Sequence, residues 1–248
     1  MVCRQRRPSD GDNRINAVSR RVWGLIQARM GSSRLPGKVM MPLAGRPLVL
    51  HILDRLNRVN GLSGVVLATT CDARNDPMVD LLGRYGTPVV RCTAEDDIAA
   101  RLAAALDATG ADAFVKVNAD CPLFDPAVAS ELLRRFLESG ADSASNKHPA
   151  TYPLGYSVEI VGARAIRWCD GNLSSPTDRE LCVKWILDHP EQFPTVSIEA
   201  AEDRSDLNLT VDTPADYDVM CRIFDALYLP NMAFGLGEVL RYLSKPPT

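Results

Sequence analysis

The 248-residue sequence has only three histidines, and none lies close to a tight pair of cysteines. A zinc site of mixed His and Cys ligands is therefore unsupported. The seven cysteines, at positions 3, 71, 92, 121, 169, 182 and 221, include no C-x-x-C pair. An odd, scattered set in a chain of this length points to reduced thiols rather than a disulfide framework. No apolar run approaches the length of a membrane span. Neither sign of charge dominates, since 28 Lys and Arg stand against 31 Asp and Glu for a net charge of −3. So small a balance gives no general reason to expect nucleic acid or an acidic membrane as partner. An apolar h-region is also missing near the N-terminus, and the expected location is the cytoplasm.

What is present begins with a basic N-terminus. Arg4, Arg6, Arg7, Arg14, Arg20 and Arg21 outnumber Asp10 and Asp12, with Pro, Gly and Asn between them and no apolar period. Residues 1–20 are read as a disordered lead-in, solvated rather than a nucleic-acid-binding arm. Residues 21–248 suffice to bury a substantial core as one domain.

Beyond the lead-in, strand-like and helix-like segments alternate. VWGLIQA (Val22 to Ala28), GVVLATT (Gly64 to Thr70), Pro88 to Arg91 and AFVKV (Ala113 to Val117) read as strands. Helical spacing runs over Pro47 to Val59, Asn75 to Tyr85, and Ile98, Leu102 and Ala105, with Thr93 as the expected cap of the last. Asp125-Pro126 is an N-cap followed by proline, and Thr213-Pro214-Ala215-Asp216 is a capping-box signature. Such alternation predicts an α/β fold with a mostly parallel sheet and helices on both faces. From about Ser143 to Ser205 the strands become shorter (SASN, YSVEI, TVSIE), separated by helical Ala163 to Trp168 and Pro176 to Leu187. LNLTV (Leu207 to Val211) then reads as a final strand.

Two acids hold a telling position. Asp120 follows AFVKV after a short turn, and Asp212 closes LNLTV just before a helix cap. Ligands of open α/β sheets bind beyond the carboxyl ends of the strands. Two carboxylates delivered there suit Mg²⁺, which takes one or two carboxylates together with substrate phosphates. The competing reading is that each Asp merely caps a turn. The loop Gln27-Ala28-Arg29-Met30-Gly31-Ser32-Ser33-Arg34-Leu35-Pro36-Gly37-Lys38 offers small residues that admit an anion to the backbone, with three cations to neutralise it. It is not a Walker A loop, because five residues separate its glycines and Val39 follows Lys38. No G-x-G-x-x-G is present there either. Without further support it also reads as a basic surface loop.

The segment IQARMGSSRLPGK resembles the signature of the cytidylyltransferases that make CMP-activated sugar acids, in particular their spore-coat-polysaccharide F-like branch. PLAGRPLVLHIL, VVLATT, VVRCTAEDDIAARL, VKVNADCPLFDP, YPLGYSVEI and LNLTVDTPADY extend the likeness, in order, from about Val22 to Leu227. The resemblance implies a Rossmann-like nucleotide-diphospho-sugar transferase fold of GT-A type with a small dimerisation and acceptor subregion at about 143–205. It implies that Arg29 and Lys38 contact the CTP phosphates, that Gly31, Ser32, Ser33 and Arg34 cover them, and that Asp120 and Asp212 bind the metal. Arg91 and the stretch from Thr93 to Arg101 fall near the nucleotide or the acceptor, and backbone near Gln27 and Ala28 recognises the base. The implied reaction is in-line attack of an acceptor hydroxyl on the α-phosphorus with loss of pyrophosphate, which needs no nucleophilic Cys121.

The acceptor half departs from the family pattern. Tyr156 and Ser157 stand where relatives carry Leu-Asp in Y-P-x-G-L-D-V-E, Leu181 stands in place of His after Arg-Glu, and Cys92 replaces glycine. An unusual acceptor near Tyr152, Ser157, Glu159 and Arg179 is the expectation. Packing would equally account for Tyr152, and surface pairing for Glu159 and Arg179. A homodimer is implied, with Trp168, Trp185 and Phe193 as apolar anchors or core residues. A glycosyltransferase using a nucleotide-sugar is the alternative, disfavoured because no D-x-D ends a hydrophobic strand. A weak nucleotide-binding module is a third reading.

Overall fold

The computed structural model describes residues 20–230, 232 and 234–244. The expected lead-in thus lies, but for Arg20, outside the described residues. In chain order come β1 (Val22–Gln27), the short β2 (Pro42–Leu43) and β3 (Arg46–Pro47), α1 (Leu48–Leu56), β4 (Leu62–Thr70), α2 (Asp76–Arg84) and β5 (Val89–Cys92). Then follow α3 (Ile98–Thr109), β6 (Ala113–Asn118), α4 (Pro126–Ser139), β7 (Ser143–Ser145), β8 (Glu159–Gly162) and α5 (Ala163–Asn172). Last are α6 (Pro176–Glu180), α7 (Cys182–Asp188), β9 (Thr195–Ser197), α8 (Pro214–Leu227) and α9 (Leu236–Leu243).

Among the described residues, seven strands make one sheet in the order β5-β4-β1-β6-β8-β7-β9. β1 runs parallel to β4 and β6, β4 to β5, and β7 to β9, while β8 is antiparallel to both its neighbours. The period of two along each strand divides the core. On β4, Val65 and Leu67 enter one cluster, and Val66 and Ala68 the other; on β6, Val115 and Val117 face away from Phe114. The first cluster is closed by α1, α4 and α8 through Ile52, Leu132 and Phe224. The second is closed by α3, α5 and α7 through Leu102, Ile166 and Ile186. Burial on both faces is why these strands read as continuous apolar runs. β7, β8 and β9, from the 143–205 stretch, extend this same sheet.

Both predicted caps form. Asp125 accepts from the Ala127 N–H at 2.8 Å, and Thr213 and Asp216 make a reciprocal capping box, each cap stabilising its helix by about 1 kcal/mol. Four expectations are corrected. The cap of α3 is Asp97, not Thr93, since its carboxylate accepts from the Ala100 N–H at 2.9 Å. The helix expected over Pro176 to Leu187 breaks at Leu181 into α6 and α7, because Arg179 ties α6 to Asp97 and Asp170. In YSVEI, ladder pairing starts only at Glu159; Val158 instead donates to the side chain of Asn146. LNLTV keeps a single bridge, Leu154 with Asn208, because the Asn208 side chain takes the Thr210 N–H and Val211 donates to the Asp120 carbonyl. None of the described helices is long and apolar enough to cross a membrane.

Candidate active site

Adjacent parallel strands β1 and β6 end side by side, and a cleft of about 490 Å³ opens at their carboxyl ends. A larger groove of about 1010 Å³ between α4 and α9 shares no residue with it and contains none of the expected site residues. The cleft therefore matters for its chemistry rather than its size. After Gln27 the chain runs over its mouth and turns back at Gly37, whose φ of 74° a side-chain-bearing residue adopts only at a cost. That turn drives Lys38 inward on a short 3₁₀ segment, where it is buried.

Lys38 is the hub of the cleft. Its Nζ donates to the Val211 carbonyl at 2.6 Å and to Asp212 Oδ1 at 2.9 Å, and stands 3.8 Å from Asp120 Oδ2. One ammonium thus joins three segments far apart in sequence. Arg34 reaches the same Asp212 oxygen at 3.0 Å. Burial would raise the Asp212 carboxyl, but the hydrogen bond from Lys38 and the charges of Lys38 and Arg34 hold it below the usual range. Asp212 does not itself line the cleft but contacts Lys38 and Arg34, which do. Cys121, beside Asp120, is buried and donates to Asp120 Oδ1 at 3.2 Å. Burial and that carboxylate push its thiol well up, which leaves no thiolate to act as nucleophile.

Gln27, Ala28, Ser32 and Ser33 also line the cleft, whereas Gly31 faces a neighbouring concavity. The Gln27 Oε1 is buried without a hydrogen-bond partner among the described residues. Arg29 reaches Glu95 at 2.9 Å and Asp96 at 3.1 Å, so its charge is partly committed within the protein. Arg91 braces the strand ends outside the lining: it donates to the carbonyls of Thr70 and Asp72 and pairs with Asp76 at 2.8 Å. Thr93 is likewise absent from the lining.

Of the expected acceptor residues, only Glu159 lines the cleft. Burial would raise its carboxyl, but the charges of Lys116 and Lys147 bring it down to about 2. Ser157 lies two residues earlier on the same run and is half-buried. Tyr152 packs against the first core cluster. Arg179 spends its guanidinium on Asp97 at 2.8 Å, Asp170 at 2.7 Å and the carbonyls of Asp170 and Leu173. Tyr156 is buried in the first core cluster.

Residues 23–165 match the family model described as Cytidylyltransferase. The chain belongs to the cytidylyltransferase family. Spore coat polysaccharide biosynthesis protein SpsF of Bacillus subtilis (strain 168) is 26% identical over 232 residues, 90% of this chain and 94% of that one. A 3-deoxy-manno-octulosonate cytidylyltransferase of Anaeromyxobacter sp. (strain Fw109-5) is 35% identical over 130 residues, so the match spans about half of either chain, 52% of each. A solved cytidylyltransferase from Leptospira borgpetersenii superposes with a TM-score of 0.84 at 26% identity, covering 90% of this chain and 94% of that one.

For a cytidylyltransferase the donor set can be tested against a divalent metal. Asp120 and Asp212 already share one cation, the Lys38 ammonium, which stands in for positive charge between two hard oxygen donors. No cluster of three or more metal-ligating side chains exists among the described residues. The pair therefore fits an ion that draws its remaining ligands from substrate phosphates and water, not a fully protein-caged one.

Glu95, Asp96 and Arg101, within the expected stretch from Thr93 to Arg101, line the cleft. Sequence reading passed over Lys116 and Lys147, which line it too. Lys116 carried a signal: a lysine at the fourth position of the otherwise apolar AFVKV. Lys147 looks like an ordinary surface charge until the strands are ordered.

Proposed function

We propose that this cytidylyltransferase moves CMP from CTP to a hydroxyl of a sugar acid and releases pyrophosphate. One observation carries the reading: the Lys38 ammonium is held between Asp120 and Asp212 at the mouth of the loop that begins at Gln27. The acceptor oxygen attacks the α-phosphorus in line, and negative charge builds on the departing pyrophosphate. Lys38, Arg29 and Arg34 meet that charge, while Ser32 and Ser33 let the backbone approach the phosphates. Positioning and electrostatics dominate such transfers, so no covalent nucleophile is required. Asp120 and Asp212 would hold Mg²⁺, which when bound supplies further neutralisation of phosphate charge. The Gln27 side-chain amide, unpartnered at Oε1, offers the base a polar partner at the cleft. The sugar-acid acceptor is supported by the names of the relatives.

A cytoplasmic homodimer completes the reading. All six described cysteines are free thiols, which fits a reducing compartment. Exposed Leu181 lies one turn from Trp185 on α7, and Trp185 stacks on Trp168 at 4.8 Å, a half-buried apolar face suited to a second subunit.

The deciding experiment crosses nucleoside triphosphates with sugar acids, phosphonates and neutral sugars and reads pyrophosphate. Release with CTP and a sugar acid is expected; turnover with UTP or a sugar nucleotide and none with CTP would overturn the proposal.

Arg29 makes its own prediction. Its pairing with the exposed Glu95 and Asp96 competes with phosphate for one guanidinium. Exposed pairs contribute roughly 0.2–1 kcal/mol each, so E95Q/D96N, which removes both, should lower the KM for CTP by about two- to thirtyfold. An unchanged or raised KM in steady-state assays would show that the two acids do not restrain Arg29.

A further inference from the structure

Three neighbouring strands set one acid and two bases on the wall of the cleft. Lys116 of β6 lies in register with Glu159 of β8, and Glu159 lies in register with Ser145 of β7, two residues before Lys147. Lys116 Nζ donates to Glu159 Oε2 at 3.1 Å and to Asn118 Oδ1 at 2.9 Å. Lys147 Nζ donates to Glu159 Oε1 at 3.1 Å. All of these side chains line the same cleft as Lys38 and Asp120.

Two features of this cluster exceed what packing requires. A buried glutamate is neutralised by one lysine, and here it has two, which leaves one excess positive charge facing the cleft. Glu159 matches only one of the two charges, and the surplus sits at the cleft, where an entering anion can pair with it. The donors are also incompletely used. Each ammonium has three N–H groups; Lys116 commits two to protein acceptors and Lys147 one, while both Glu159 oxygens are engaged. The Lys147 side chain is 41% exposed and that of Lys116 only 7%. A fixed lysine and a reachable one are thus held side by side.

We propose that Lys116 and Lys147 bind the carboxylate of the acceptor, and that Glu159 is a positioning residue that holds the two ammonium groups together without touching the substrate. This rests on transfer to a sugar acid and names the group of that substrate which the cleft recognises. A single negative charge brings the cluster to neutrality. A neutral sugar leaves the surplus unpaired, and a multiply charged phosphate overshoots it, so the cluster discriminates by charge as well as by contact. Lys116 lies four residues before Asp120 on one run of chain, which sets the carboxylate subsite beside the Lys38 pole.

The test uses the full chain with CTP, 3-deoxy-manno-octulosonate and the methyl ester of that sugar acid. A charge-assisted hydrogen bond lost from the subsite corresponds to about a tenfold change or more, so Lys147→Met should raise the KM for the acid by about that factor. The KM for CTP should move by less than about twofold, and Lys147→Arg should restore acid use. The ester should be a poor acceptor for the wild-type chain. An unchanged acid KM, or equal losses on acid and ester, would overturn the subsite while leaving cytidylyl transfer to sugar acids standing. Turnover of neutral sugars alone would overturn both. A second readout does not depend on turnover: the acid should protect Lys147 from acetylation by acetic anhydride, followed by mass spectrometry, and the ester should not. Equal labelling with and without the acid would also overturn the subsite.

Discussion

Replacing Lys38 with methionine should lower kcat for pyrophosphate release by about two to three orders of magnitude, the loss usual when one preorganised donor to developing charge is removed. The same change should destabilise the chain by about 2–3 kcal/mol. Breaking a buried pair leaves an uncompensated charge, and the value is set below the usual range because Asp120 and Asp212 keep some exposure, 28% and 21% of their side chains. Arg34 stays on Asp212, but the two carboxylates lose the one cation that joins them. Millimolar magnesium should therefore raise the Tm of Lys38→Met more than that of the wild type, since a divalent ion fills the position the ammonium vacates. Thermal unfolding with and without magnesium, beside steady-state kinetics, reads both effects. Near-wild-type kcat would remove Lys38 from the transfer, and a Tm indifferent to magnesium would remove the metal from Asp120 and Asp212.

The largest effect on folding is expected at Gly155. Its φ of 101° lies where side chains rarely go, and a Cβ there would stand 2.4 Å from the Leu209 carbonyl oxygen. The backbone cannot yield cheaply. Leu154 donates to the Leu207 carbonyl at 2.9 Å and Leu209 donates back to Leu154 at 2.8 Å, which clamps the run that carries Asp212. Gly155→Ala should cost about 3 kcal/mol or more. In whatever fraction folds, kcat/KM should fall by about a hundredfold, because a displaced Asp212 misplaces Lys38. Gly83→Ala is the control: that position lies inside α2 with nothing within 4 Å of an added Cβ, and it should gain about 0.5–1 kcal/mol. A Gly155→Ala chain as stable and active as the control would show that the clamp does not position Asp212.

Much of the frame was legible along the chain because its signals are local. Apolar strand runs, the caps at Asp125 and Thr213, and the small-residue loop from Gln27 to Lys38 each depend on a few neighbouring residues. LNLTV shows where local signals mislead. Its alternation is strand-like, yet the Asn208 and Thr210 side chains satisfy backbone groups that a ladder would use. Arg91 and Arg179 show what a motif leaves open. An arginine in a matching motif invites a ligand role, and only the folded chain shows that carbonyls and carboxylates of the protein itself engage both guanidinium groups.

The sequence by itself determined an α/β nucleotidyltransferase frame of the cytidylyltransferase family, and it set Asp120, Asp212 and the Lys38 loop apart as the chemical pole. Tertiary structure alone decided which charges meet. Lys38 and Asp212 are joined across 174 positions, and Lys116, Glu159 and Lys147 come together only because β8 inserts antiparallel between β6 and β7. The physical reason is range: caps and periodicity act over a turn or a pleat, whereas ion pairs follow strand order, which no local pattern along the chain specifies.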